Sequence, residues 1–231
     1  MGTGWKHAGK QDAAQAKGKI ISKLAKELIV ASKFGGADPT ANPRLRVAME
    51  QAKKASMPKD TMERAIKKGA GLLDEPVTYE TVMYEGFAPH RVPVIVECLT
   101  DNKNRTATNI RLLFRKTQLS AVAWDFKRAG AIEAVPPGPG IDAETAAIEA
   151  GAQEVGPGEE GAMHFVTEPT DLDSVQKALT AANWKIESAQ LVWIAKNPVK
   201  LEPAARAEVE EFLAELDADD DVQHLFVGLA P

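Results

Sequence analysis

The sequence predicts a multidomain α+β protein in which an N-terminal helical bundle precedes two α+β domains, one ferredoxin-like and inserted into the other. The hydrophobic period changes from 3.6 to 2 near residue 76. Elements between 131 and 195 follow the order β-α-β-β-α-β, which is ferredoxin-like. The segment before them lacks a closing α-β pair, which the segment after them supplies. We expect domains at residues 1–75, 76–130 plus 200–231, and 131–199.

Three amphipathic helices are predicted in the first domain. The first covers 11–33, with Ile21, Leu24 and Leu28 on one side. The second begins at Pro43 after an Asn42 cap, and the third covers 58–68. Gly69 is expected in the left-handed conformation that ends a helix.

The remaining elements follow from alternation, turn residues and caps. Strands at 78–85 and 92–99 are expected to form a hairpin around residues 88–90, followed by a helix that Asn102 caps and a strand at 121–126. Further strands are predicted at 131–135, 152–156, 162–167, 185–195 and 222–227, and further helices at 142–151, 171–183 and 203–216.

Positive charge is concentrated at the start of the chain. Residues 1–70 carry a net charge of +9, whereas residues 71–231 carry −14. Such asymmetry is typical of a protein with a basic face for a polyanion, and helix-face cations suit phosphate groups. The alternatives are a solvated helix face and a surface for acidic proteins. The predicted nucleic-acid contacts are Lys6, Lys10, Lys19, Lys23, Lys26, Arg46, Lys53, Lys59, Arg64, Lys67 and Lys68.

Two smaller groups are secondary candidates. Trp5 and His7 could stack on an exposed base or pack against the bundle. Asn102, Asn104 and Arg105 belong to a polar motif that reads as a helix cap or as a phosphate contact beside free helix amides.

Enzyme chemistry is not expected, because neither a catalytic set nor a metal-ligand spacing occurs among the four histidines. We expect no cofactor. The chain has no run of eighteen apolar residues and no apolar stretch typical of a signal peptide. The single cysteine, Cys98, reads as a buried apolar residue, and we expect a cytoplasmic protein. The acidic cluster of Asp217, Asp219, Asp220 and Asp221 reads as a solvated connector, with a cation site or electrostatic repulsion of misplaced nucleic acid as the alternatives.

Four ordered motifs resemble the YebC family. Residues 35–46 read GGADPTANPRLR, residues 57–60 and 63–69 read MPKD and ERAIKKG, residues 84–86 read YEG, and residues 97–106 read ECLTDNKNRT. Family members in bacteria are named probable transcriptional regulators, and mitochondrial relatives activate translation of cytochrome c oxidase subunits. The resemblance implies a helical domain followed by two α+β domains, with the last inserted in the middle one.

The leading hypothesis is a non-enzymatic DNA-binding regulator of transcription that docks through the helical domain. A translation factor that binds ribosomal RNA is the first alternative, and a protein-interaction scaffold is the second. Under either nucleic-acid hypothesis, the acidic α+β domains are free to bind protein partners.

Compared with the family, the stretch at residues 2–7 is compressed and a glycine-rich loop before residue 121 is missing.

Overall fold

The computed structural model of the chain describes residues 13–73, 78–158 and 161–230, with side chains in the first helix from residue 17. The chain forms two compact units: unit 1 contains residues 1–127 and 194–231, and unit 2 contains residues 128–193. In the described part of the chain, every helix is too short or too polar to span a lipid bilayer.

Unit 1 begins with three helices, α1 (Ala13–Gly35), α2 (Pro43–Lys54) and α3 (Lys59–Gly69). All three predicted helices are therefore present. Apolar side chains from each helix meet in one cluster of buried residues: Leu28, Ile29, Ala31, Leu45, Ala48, Ala52, Met57, Met62 and Ala65. This core leaves the polar faces of α2 and α3 available for other contacts.

Asn42 connects the first two helices. Its side-chain oxygen accepts a hydrogen bond from the amide of Leu45 at 3.0 Å, which caps α2 as predicted. Its Nδ2 donates to the carbonyls of Ala31 and Gly36, each at 2.8 Å. Because this amide is 4% exposed and satisfies both helix ends, it fixes the turn between them.

Gly69 does not have the predicted left-handed conformation. It is the last residue of α3, and the left-handed position is taken by Gly71, with φ of 72°. A Cβ on Gly69 would overlap the carbonyl of Ile29. Glycine is therefore needed here because α1 and α3 approach closely, not because the helix ends.

The strands of the first sheet are β1 (Glu80–Phe87), β2 (Pro93–Thr100), β3 (Gln118–Leu119) and β8 (Val222–Val227). Their order is β3-β1-β2-β8, and each neighbouring pair is antiparallel. Helices α4 (Lys103–Leu113) and α7 (Pro203–Asp217) share a buried core with this sheet. The predicted hairpin between the first two strands is present.

The predicted strand at 121–126 is wrong. Residues 123–125 form a short 3-10 turn, and the third strand is the two-residue β3. The amides of Val122 and Ala123 both donate to Oε2 of Glu85, each at 2.7 Å. Since a carboxylate satisfies these amides, they are not available for pairing with another strand.

Unit 2 has a four-stranded sheet of its own. Its elements are β4 (Phe126–Val135), α5 (Ala143–Ala150), β5 (Glu154–Pro157), β6 (Met163–Thr167), α6 (Leu172–Ala181) and β7 (Lys185–Ala195). The strand order is β5-β6-β4-β7, with β6 antiparallel to both β4 and β5. Phe165 and Trp184 form an edge-on aromatic pair in the core of this unit, with ring centroids 5.2 Å apart.

The predicted α+β class, with an N-terminal helical region and two four-stranded sheets, is confirmed. The helical region lies in the same compact unit as the first sheet. A separate domain at residues 1–75 therefore stays a prediction.

Candidate nucleic-acid interface

Helices α2 and α3 form an open groove of about 420 Å³ with an apolar interior and charged edges. Its lining consists of Met49, Met57, Met62 and Ile66 together with Lys53, Lys59 and Glu63. Lysines from two helices therefore border one concave surface.

The cations beside this groove follow from helical spacing. Arg46, Met49 and Lys53 lie at i, i+3 and i+7 on one face of α2. Lys59 and Lys67 lie along one side of α3 at i and i+8. We define Arg46, Lys53 and Lys67 as the groove cations; all three are exposed and have no ion pair with another described side chain. They are therefore free to neutralise an external anion.

Other predicted contacts in the helical region differ in their availability. Lys19 is half-buried on α1, and Arg64 is exposed on a different side of α3 from Lys59. Lys59 is exposed and lies 3.6 Å from Glu63, a weak surface pair. Lys68 is half-buried and already has a partner.

Lys23 and Lys26 do not present free charges. Lys23 Nζ donates to Asp217 Oδ1 at 2.8 Å and to its carbonyl at 2.9 Å. Lys26 Nζ donates to Asp221 Oδ1 at 2.8 Å and to the carbonyl of Asp220 at 2.7 Å. These side chains are only 17% and 14% exposed. We therefore remove both from the proposed interface.

Asp221 is the centre of a network that joins three parts of unit 1. Its side chain is 3% exposed and accepts hydrogen bonds from Lys26, Arg105 and Thr106. Burial favours the neutral acid, but the bonds from these three side chains outweigh it and lower the pKa of Asp221. The prediction that this acidic cluster is a solvated connector is wrong for Asp221.

Arg105 belongs to the same network. Its Nη2 donates to Asp101 at 2.8 Å and to Asp221 Oδ2 at 3.0 Å, and these carboxylates raise its pKa. A guanidinium paired twice is poorly placed to bind phosphate. Asn102 caps α4 by accepting from the Arg105 amide at 3.1 Å, which matches the cap interpretation, while Asn104 is exposed.

A polar cavity of about 470 Å³ adjoins this network. Lys26 and Arg105 contribute cations, and Asp101, Asp219, Asp220 and Asp221 contribute carboxylates. Opposite charges are therefore already paired at its walls, so the cavity has no excess positive charge for a phosphate.

Four of the predicted contacts lie outside the described residues: Trp5, Lys6, His7 and Lys10. Conversely, four exposed residues beyond the helical region were missed: Arg111, Arg115, Lys116 and Trp124. Residues 103–128 contain seven Lys or Arg and one Asp within the otherwise acidic part of the chain. A charge count restricted to this window would have found the three cations but not Trp124.

Models of one protein family match nearly the whole chain. A family model described as "TACO1/YebC protein N-terminal domain" matches residues 4–72, and one described as "TACO1/YebC second and third domain" matches residues 79–229. The chain belongs to the TACO1/YebC family. The family resemblance of the four sequence motifs is thereby confirmed.

Relatives align over nearly all of their length. A protein from Polaromonas sp. is 59% identical over 237 residues, covering 100% of both chains, and one from Bdellovibrio bacteriovorus is 50% identical, covering 97% of this chain and 98% of its own. Each is named a probable transcriptional regulatory protein. The crystal structure of a conserved hypothetical protein from Aquifex aeolicus matches with a TM-score of 0.79 and 42% identity, covering 97% of this chain and 94% of that one.

Proposed function

We propose that this TACO1/YebC protein is a non-enzymatic, nucleic-acid-binding regulator of gene expression that contacts DNA through α2 and α3. The observation that carries the proposal is the groove between these helices, which Lys53 lines, together with Arg46 and Lys67 on the adjoining helix faces. All three cations are exposed without carboxylate partners among the described side chains. The relatives' name, probable transcriptional regulatory protein, supports the same class of function.

The charges favour phosphate recognition over base recognition. Lysine and arginine neutralise backbone phosphates whatever the base sequence, and the released counterions make binding strongly salt-dependent. Unit 2 carries a net charge of −8, which opposes binding of nucleic acid there. Contact with nucleic acid is therefore assigned to unit 1, and protein partners are compatible with unit 2.

We also infer that unit 2 is a ferredoxin-like domain inserted into a middle α+β domain. Its element order β-α-β-β-α-β and its sheet order β5-β6-β4-β7 support this assignment. The proposed boundaries remain residues 1–75, 76–130 plus 200–231, and 131–199, and the return of the chain to unit 1 at residue 194 supports the insertion.

The test compares wild type with a triple variant in which Arg46, Lys53 and Lys67 are changed to Glu. Duplex DNA binding is measured by gel shift, and ribosome binding is measured by co-sedimentation, both across a salt series. Loss of three phosphate contacts should reduce the slope of log K against log salt by about 3.

The matched control changes Lys177, Lys185 and Lys200, three exposed lysines elsewhere, to Glu. This control has the same net charge as the test variant and should bind as wild type does. Equal binding by all three proteins would refute the α2/α3 interface. Binding to ribosomes but not to DNA would replace the DNA-binding regulator with a factor that acts on ribosomal RNA, and binding to neither ligand at low salt would favour a protein scaffold.

A further inference from the structure

A second basic surface lies at the end of α4 and in the loop that follows it. Lys103 and Arg105 in this region are paired with Glu80 and with Asp101 and Asp221. Three other cations, Arg111, Arg115 and Lys116, are exposed, and none has an ion pair with another side chain in the described ranges. Positive charge in this region is therefore left unneutralised despite the acidic surroundings in the sequence.

Trp124 is exposed beside these cations in the chain. Its side chain is 68% exposed, although tryptophan gains more than most residues from burial. The indole N–H donates to the carbonyl of Ala121 at 3.0 Å, inside its own loop. Because the N–H is the only polar group of the indole and is already hydrogen-bonded, a partner would contact Trp124 through the faces of its ring.

The loop that carries Trp124 is held in one conformation. Besides accepting from Val122 and Ala123, Glu85 accepts a hydrogen bond from the Ser120 amide through its carbonyl at 3.0 Å. On the other side, Lys196 Nζ donates to the carbonyl of Trp124 at 2.8 Å. A ring presented by a fixed loop loses little conformational entropy when it binds.

The segments that carry the cations and the ring both pack at the end of β1. Leu119 pairs with Gly86, and a Cβ on Gly86 would lie 2.6 Å from both the Phe114 ring and the Gln118 carbonyl. The chain that follows α4 therefore packs tightly against Gly86, next to Glu85, which supports the Trp124 loop. This gives the YEG motif a structural role that the helical interface does not explain.

We propose that Arg111, Arg115, Lys116 and Trp124 form a second binding surface, specific for single-stranded nucleic acid. An unpaired base stacks on the Trp124 ring, and the three cations neutralise neighbouring phosphates. Cationic grooves combined with exposed aromatic rings are the general means of binding single strands, since every base has a stacking face. This inference rests on the proposed function for the class of ligand but uses none of the groove cations.

The test measures fluorescence anisotropy with three labelled probes of about 12 nucleotides, within the range of known single-strand sites. They are oligothymidylate, an abasic strand of the same length and a duplex. A parallel oligouridylate probe distinguishes RNA from DNA as the natural source. Trp124→Ala should weaken binding of oligothymidylate about 10-fold and leave duplex binding unchanged. Trp124→Phe should retain most of the affinity, because the stacking face remains.

Ile148→Ala provides the control, because this side chain is 78% exposed and lies in unit 2. It should bind every probe as wild type does. The inference is overturned if Trp124→Ala binds oligothymidylate as wild type does, or if the abasic strand binds as tightly as oligothymidylate. In that case a contact for a protein partner becomes the better explanation of Trp124.

The two proposals fail in different ways. If the triple variant of the groove cations loses duplex binding while Trp124→Ala binds all probes normally, the second surface fails and the proposed function stands. If Trp124→Ala loses single-strand binding while the triple variant keeps duplex binding, the α2/α3 interface fails and the second surface stands. If wild type binds none of the probes at low salt, both fail.

Discussion

Replacing Asp221 with Asn should destabilise unit 1 strongly, because this carboxylate is buried between two cations from distant parts of the chain. Lys26 donates to its Oδ1 and Arg105 to its Oδ2, at 2.8 and 3.0 Å. Thr106 donates to Oδ2 at 2.8 Å. Asparagine keeps the shape of the side chain and one acceptor oxygen but removes the charge.

The loss in the free energy of unfolding depends on how much water reaches the two cations that lose this carboxylate. Lys26 is 14% exposed and would lose its charged partner, whereas Arg105 is 48% exposed and retains Asp101. Removing one member of a buried ion pair costs about 3 to 5 kcal/mol. Because Lys26 keeps two carbonyl acceptors, those of Leu99 and Asp220, and Arg105 is hydrated, we expect the low end, about 3 kcal/mol.

Urea unfolding of the full chain measures this difference in the free energy of unfolding. Asp220→Asn is the matched control, because Asp220 directly precedes Asp221, carries the same charge and has an exposed side chain. It should change stability by less than about 0.5 kcal/mol. Lys26→Met combined with Asp221→Asn should cost less than the sum of the single changes, since the two side chains interact directly. Equal effects of Asp220→Asn and Asp221→Asn would refute the role of this network.

Three further predictions concern acid stability, helix packing and thiol reactivity. The pKa of Asp221 in the folded protein lies below its usual 3.8, so its stabilising contribution is complete above about pH 3.8 and is lost as the pH falls through the folded pKa. The unfolding midpoints of wild type and Asp221→Asn should therefore converge in acid, and a constant difference between them would contradict this. Gly69→Ala should destabilise the folded protein by about 2 kcal/mol because the added Cβ overlaps Ile29, whereas Gly18→Ala, where the added Cβ meets open space, should stabilise α1 by up to about 1 kcal/mol. Thermal melts of both variants test the contrast, and a Gly69→Ala variant as stable as wild type would argue against the close helix crossing. Burial raises the pKa of Cys98 to about 12, so the native thiol should resist alkylation at pH 8 and react only after unfolding. Mass spectrometry measures the alkylated fraction, and rapid labelling of the native protein would show instead that the thiol is accessible.

Local patterns predicted the elements of this fold well, because caps, turns and periodicity act within a few residues. Asn42 followed by Pro43 correctly gave the start of α2. The strand expected at 121–126 failed because Glu85, distant in sequence, satisfies the amides of Val122 and Ala123. Apolar alternation cannot reveal a carboxylate that replaces a neighbouring strand.

Predicting the interface was harder, because helical periodicity shows which side chains share a face but not what covers that face. Lys23 and Lys26, three residues apart on α1, were predicted as nucleic-acid contacts, yet their partners lie 194 and 195 residues away in the sequence. Trp124 was missed for a related reason: within an expected strand, an aromatic residue reads as part of a core. Only the folded chain shows that its ring is exposed.

The internal pairing of Lys23 and Lys26 changes the meaning of the charge of +9 in residues 1–70. Two of these charges hold α1 against Asp217 and Asp221, so they contribute to the stability of unit 1 and not to an external surface. A phosphate could attract them only by breaking bonds that already satisfy both ammonium groups. Under the proposed function, the salt dependence of nucleic-acid binding would therefore report contacts made by other cations, chiefly those of α2 and α3. This separation explains why charge reversal at the groove cations can test binding without disturbing the fold, whereas the same change at Lys23 or Lys26 would test both at once.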